Sequence, residues 1–192
     1  MLIPIEQLLL LCVGFFIIAT LYSSVGFGGG SSYLALLTLF LTSFFAIRSI
    51  ALVCNLVVVS GSTYLYFKNG HAKFKDFLPF VLTSIPLAYI GATFRLKESV
   101  FFIILGCSLI LSALFLAIQT FELNNTKKEV HDYPNYMSYL LGAGIGFLSG
   151  LVGIGGGIFL APILNHLRWK KAIKIAALAS FFILVNSISG LL

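Results

Sequence analysis

Two long apolar runs, Gln7 to Ile47 and Tyr133 to Leu167, contain no Asp, Glu, Lys or Arg, yet each is broken near its middle by a glycine cluster. The clusters are Gly26-Phe27-Gly28-Gly29-Gly30 and Gly153-Ile154-Gly155-Gly156-Gly157, 127 residues apart. A helical glycine is about 1 kcal/mol less favourable than alanine, so three adjacent ones with a fourth nearby interrupt a helix. Continuous helix from Leu8 to Phe40 would also reach about 50 Å, against a bilayer core of roughly 30 Å. The run must bend, break or re-enter. Interrupted apolar segments at matching places in two repeats point to the binding site of a transporter.

Composition makes the bilayer the solvent. Charged residues form 9% of the chain and hydrophobic ones 59%, where a soluble domain carries about 25% charged. Four further runs, Ala46 to Phe67, Phe77 to Phe94, Ser99 to Ile118 and Ala172 to Leu192, are each close to the roughly 20 residues of a spanning helix. Inside them only Arg48 and Lys174 carry charge, and both are expected to snorkel to an interface. No basic n-region precedes the first apolar stretch, so it reads as a span and not as a signal peptide. The net charge of +6 comes from cations scattered over short loops, which fits membrane orientation better than nucleic acid. Cys12, Cys54 and Cys107 lie singly in different apolar segments and read as small hydrophobes.

The expected fold is an all-α integral membrane protein, a polytopic helical bundle of about six transmembrane segments with two glycine-broken helices. A helix is expected over 8–24, a turn over 26–30 and a half-helix over 31–41. The second copy gives a helix over 137–151, a turn over 153–157 and a half-helix over 158–166 with Pro162 inside it. Leu34-Ala35 matches Leu160-Ala161, and Ala46-Ile47-Arg48 matches Ala172-Ile173-Lys174, which argues for internal duplication. The domains then read as a first membrane repeat, 1–118, a polar linker, 119–135, and a truncated second repeat, 136–192. By symmetry about 50 to 60 further residues would complete the second copy. With each glycine-bearing run counted as one span, Arg48, Arg95, Lys97, Arg168, Lys170, Lys171 and Lys174 share one side, read as cytoplasmic. Lys68, Lys73, Lys75, Lys127 and Lys128 share the other, and the N-terminus lies outside.

Backbone amides in a glycine turn that feeds the positive end of a half-helix form an anion site without a charged side chain. The candidate substrate-binding residues are therefore Gly28, Gly29, Gly30, Ser31 and Ser32 in the first turn and Gly155, Gly156 and Gly157 in the second. Ser23, Ser24 and Ser149 border the turns with further hydroxyls. Asn55 and Asn186 are amides within spans, serving as ligands or as interhelical glue. Arg48 and Lys174 start the helix after each break and either attract an anion or mark the interface. Gly142, Gly146 and Gly150 recur every four residues, the pattern of close helix packing.

Other chemistries find no support. A dinucleotide fingerprint would need glycine where Ser31 and Ile158 stand. His71, His131 and His166 form no metal-ligand pair, so neither a metal nor a cofactor is expected. No carboxylate lies inside a span, which removes the usual groups of a proton relay or a membrane aspartyl protease, and the chain reads as a non-enzyme.

Gly26-Phe-Gly-Gly-Gly-Ser-Ser-Tyr-Leu-Ala, Gly153-Ile-Gly-Gly-Gly-Ile-Phe-Leu-Ala-Pro-Ile-Leu, Tyr66-Phe-Lys-Asn-Gly-His and Ile90-Gly-Ala resemble the sulfite exporter TauE/SafE family, also called the toluene sulfonate uptake permease family. The resemblance implies a multi-pass carrier of the prokaryotic cytoplasmic membrane for sulfite, organosulfonates or similar anions. Members of that family usually continue for two more helices, and the first copy here carries Leu36 where the second has Pro162. The expected function is thus secondary transport of small sulfur-containing oxyanions, with the lipid bilayer and a small anion as partners. Alternatives are an incomplete, assembly or regulatory membrane subunit with no transport activity alone, a chain that completes itself as a homo-oligomer, and a passive anion channel.

Overall fold

The computed structural model describes residues 4–41, 43–94, 96–122, 131 and 133–192. They form eight helices: α1 (Ile5–Val25), α2 (Gly30–Thr38), α3 (Phe44–Lys68), α4 (Phe74–Thr93), α5 (Glu98–Glu122), α6 (Asn135–Val152), α7 (Gly157–His166) and α8 (Ala172–Leu191). Helices α1, α3, α4 and α8 are long and apolar enough to cross a membrane, against the about six segments expected from the sequence. The half-helices α2 and α7 are too short, at 9 and 10 residues. α6 has the length, at 18 residues, but its glycines and its opening Asn135, Tyr136 and Ser138 dilute its apolar character. α5 extends through Glu122, into the stretch read as linker; the rest of that stretch lies mostly outside the described residues.

Each glycine break folds its run into a hairpin. Along α1 and α2, Gly14 meets the Leu36 side chain, Phe15 stacks 5.0 Å from Tyr33 and the Tyr22 and Ser32 hydroxyls bond at 2.8 Å. Those pairings run in opposite directions along the chain, so α2 returns beside α1. In the second run Ser149 packs on Gly156, and the Tyr133 hydroxyl donates to the Leu167 carbonyl at 2.9 Å, so α7 returns beside α6.

The hairpins enter the bundle from opposite ends. α4 and α6 are parallel, with Gly142 against Phe80, Gly146 against Ser84 and Gly150 against Ala88. Added methyls there would strike backbone atoms, so the four-residue glycine stripe is what lets the two helices approach. α8 also runs parallel to α4: Phe181 stacks on Phe77 and the Ser189 hydroxyl donates to the Ile85 carbonyl at 2.7 Å. α3 is antiparallel to α8, with Phe67 on Phe181 at 5.7 Å and Leu52 beside Gly190. The α1–α2 hairpin therefore opens where α3 begins. The α6–α7 hairpin opens at the other end, where α3 ends and α4 and α8 begin.

This arrangement corrects the charge grouping. Arg168, Lys170, Lys171 and Lys174 sit at the same end as Lys68, Lys73 and Lys75, because α7 turns back and does not complete a crossing. Lys97 lies at the opposite end, with Arg48 buried near it. Arg95, Lys127 and Lys128 lie outside the described residues.

Candidate functional site

Both turns are built the same way. α1 ends on Gly26 and α6 on Gly153, each left-handed, and the following half-helices are capped by Gly29 (φ 82°) and Gly156 (φ 82°). An L side chain at either cap would be strained, since this backbone region is favourable only for glycine. The caps' carbonyls accept from Ser32 and Tyr33 in one turn, at 3.0 Å, and from Phe159 and Leu160 in the other, at 3.1 Å. The amides of Gly28, Gly29, Gly30 and Ser31, and of Gly155, Gly156, Gly157 and Ile158, take no such backbone partner among the described residues. This leaves free amides at the positive ends of two half-helices, where the backbone dipoles favour negative charge.

Asn55, halfway along α3 and fully buried, brings the turns together. Its Nδ2 donates to the Ile154 carbonyl at 2.9 Å, and the same amide closes on the first turn. A methyl on Gly28 would overlap Oδ1, and one on Gly30 would stand 2.5 Å from Nδ2 and 2.9 Å from the Ile154 carbonyl oxygen. Since a carbonyl only accepts, Nδ2 is fixed as the donor and Oδ1 is left as an acceptor without a partner.

The remaining candidates divide. Ser31 is buried at the start of α2, and Ser32 has its hydroxyl tied to Tyr22. Asn186 is 1% exposed with both amide atoms unpartnered. It shares a face of α8 with Phe182 and Ile183, which touch Gly156 and Gly155. The glue role falls instead to Ser189 and to Asn55 itself.

Arg48 overturns the snorkelling expectation. Its guanidinium points inward and donates to the Gly150 carbonyl at 2.6 Å and the Ala92 carbonyl at 3.3 Å. Its stem packs on Gly153. It thus caps the C-terminal ends of α6 and α4 together, where a cation also meets the negative ends of both helix dipoles. Lys174 stays half-buried in the first turn of α8.

Sequence reasoning missed Ser180 and Ser187. The Ser180 hydroxyl donates to the Gly26 carbonyl, and Ser187 faces Gly155. Both are hydroxyls inside an apolar run, and Ser187 adjoins Asn186. That was the available signal, but only packing shows which face meets the turns.

Residues 152–157 are all buried, and in the first turn Gly26, Gly28, Gly29 and Gly30 are buried and Phe27 half-buried. A cavity of ≈ 270 Å³ lies away from them at the basic end, among Lys75, Asp76, Asn135, Trp169 and Lys170.

A family profile described as "Sulfite exporter TauE/SafE" matches residues 10–192. The chain is 34% identical over 183 residues to "Probable membrane transporter protein y4hK" of Sinorhizobium fredii, covering 95% of this chain and 74% of that protein. It is 26% identical over 200 residues to "Probable membrane transporter protein YunE" of Bacillus subtilis, covering 91% of this chain and 73% of that one. A Haemophilus influenzae "Probable membrane transporter protein" is 29% identical over 134 residues, covering 66% of this chain and 49% of its own length. No solved structure matches.

Proposed function

The chain belongs to the sulfite exporter TauE/SafE family, and from that premise we propose that it carries a small sulfur-containing oxyanion, such as sulfite or an organosulfonate, on its two glycine turns. It is a multi-pass bacterial membrane protein of a transporter family. The observation that carries the substrate reading is the convergence of two sets of unpaired amides on Asn55 from opposite ends of the bundle. Arg48 packs on Gly153 with its guanidinium engaged by the Gly150 and Ala92 carbonyls. Amide donors therefore supply the direct contacts of this reading, and neutral donors bind an anion without holding it irreversibly, which a carrier needs.

Opposed hairpins followed by the antiparallel α3 and α8 support reading 1–118 and 136–192 as an inverted repeat, the architecture in which rocking of one half against the other exposes a central site alternately. Burial of the turns favours a carrier over a passive channel. The gathering of Lys68, Lys73, Lys75, Arg168, Lys170, Lys171 and Lys174 at one end supports reading that end as cytoplasmic and the N-terminus as outside.

Flux of labelled sulfite and of a short alkanesulfonate into vesicles tests the site. Gly29→Leu and Gly156→Leu, compared with the native chain at equal membrane abundance, should each reduce flux at least tenfold. Unchanged flux in both would sink the assignment.

A further inference from the structure

Among the described residues most helical hydroxyls bond to a carbonyl of their own helix or to a neighbouring segment, and three buried ones, Thr63, Ser149 and Ser187, have no partner. Thr20, Ser24, Ser60 and Thr93 donate to carbonyls three or four residues earlier, at 2.5 to 2.8 Å, the usual resort of a hydroxyl in a helix. Ser149 of α6 and Ser187 of α8 make no such bond and have no other partner, although they are only 2% and 0% exposed. Burial of an unpartnered hydroxyl disfavours the folded state.

Both face the second turn. The Ser187 Oγ lies 2.9 Å from where a methyl on Gly155 would stand, and the Ser149 Oγ 3.2 Å from the same place on Gly156. They come from different helices, α8 and α6, and reach successive glycines of the turn that leads into α7. The first turn has no such pair: Ser32 is bonded to Tyr22, and Ser180 to the Gly26 carbonyl.

Resting on the oxyanion reading above, we propose that Ser149 and Ser187 are ligand-binding residues, two hydroxyl donors that close on a small oxyanion seated on the amides of Gly155, Gly156 and Gly157. The second turn is then the primary seat. A pyramidal or tetrahedral anion presents oxygens in several directions, and hydroxyls from two helices beside an amide cradle meet oxygens that the amides alone do not reach. Both hydroxyls rotate freely about their Cβ–Oγ bonds, so they can follow the ligand as it shifts.

The test combines binding with stability, using the full chain in lipid nanodiscs and labelled sulfite or a short alkanesulfonate as probe. Ser149→Ala and Ser187→Ala should each weaken binding about tenfold or more, the loss expected for a hydrogen bond to an anion. The unliganded protein should melt no lower than the native one, because an unpartnered buried hydroxyl has been removed. Ser189→Ala, which loses a bonded hydroxyl remote from the turns, should melt lower and bind as before. If either of the first two variants melts lower in the manner of Ser189→Ala, its hydroxyl is structural and the proposal falls. If both bind within twofold of native while Gly156→Leu does not bind, the proposal falls and the glycine-turn reading stands. If native protein binds neither probe, both fall together.

Discussion

The two hairpins share one local recipe and differ in company. α1 buries only Leu11 and turns Leu9, Leu10, Val13, Phe16 and Ile17 outward, whereas α6 buries Gly142, Ile145, Gly146, Ser149 and Gly150 against its neighbours. α1 carries large apolar residues on most of its surface and is approached by α2 along the face of Gly14, Phe15 and Tyr22. The α6 stripe of small residues admits the backbone of α4 directly. Left-handed glycines thus set where amides are freed, and the flanking side chains set how deeply the turn is embedded. At the first turn the Ser32 and Ser180 hydroxyls are bonded, whereas at the second Ser149 and Ser187 are buried without a partner, so nearly identical glycine motifs can hold different roles.

The largest expected effect tests that embedding. Gly150→Leu would drive a side chain into the Ala88 backbone, which cannot move aside without separating α4 from α6. Overpacking of this kind costs at least about 3 kcal/mol, and folded protein should disappear from a detergent size-exclusion profile. A normal profile would mean that the α4–α6 contact is not what holds the second hairpin.

Arg48→Ala comes next. It strands the Gly150 and Ala92 carbonyls, and the melting temperature should fall by the equivalent of about 2 to 4 kcal/mol. Were Arg48 only to attract anions, flux would fall with the melting temperature intact, and the second turn would lose its structural clamp in this account.

A smaller change separates the two turns by sign. Ser180→Ala removes the bond to the Gly26 carbonyl and should destabilise by about 1 kcal/mol. Ser187→Ala, two turns further along the same face of α8, should be neutral or stabilising. Equal and like-signed shifts in thermal unfolding would erase the contrast between the turns.

Gly14→Ala should do least. Its methyl would meet the tip of the Leu36 side chain, with Cδ2 at 2.6 Å, which can rotate away at the exposed face. The gain in helix propensity offsets that strain, and stability should stay within about 0.5 kcal/mol of native. A large loss would show that α1 is packed as tightly as α6.

Much of this was legible in the chain. In a bilayer every backbone group must be bonded, in helices or closed barrels, and long unbroken apolar runs lack the short alternating pattern of barrel strands, so they read as helix. Glycine clusters in their middles fix the breaks, so the positions of α1, α2, α6 and α7 followed within a few residues. The spacing of Gly142, Gly146 and Gly150 announced a close contact and left its partner unnamed.

What sequence could not supply was direction. A glycine turn either continues a crossing or reverses it, and both keep the same residues apolar. Only the pairing of Gly14 with Leu36 and of Tyr133 with Leu167 shows that both runs reverse, and that reversal moved Arg168 to Lys174 to the other end. Arg48 likewise read as an interface marker, since nothing local records that two helix ends would stand within reach of its guanidinium. By itself the sequence determined a helical membrane protein with two freed amide clusters, because those properties follow from solvation and backbone torsion, which are local. That the clusters meet at Asn55, and that the second keeps two buried hydroxyls without a partner, was decided by packing between separate helices.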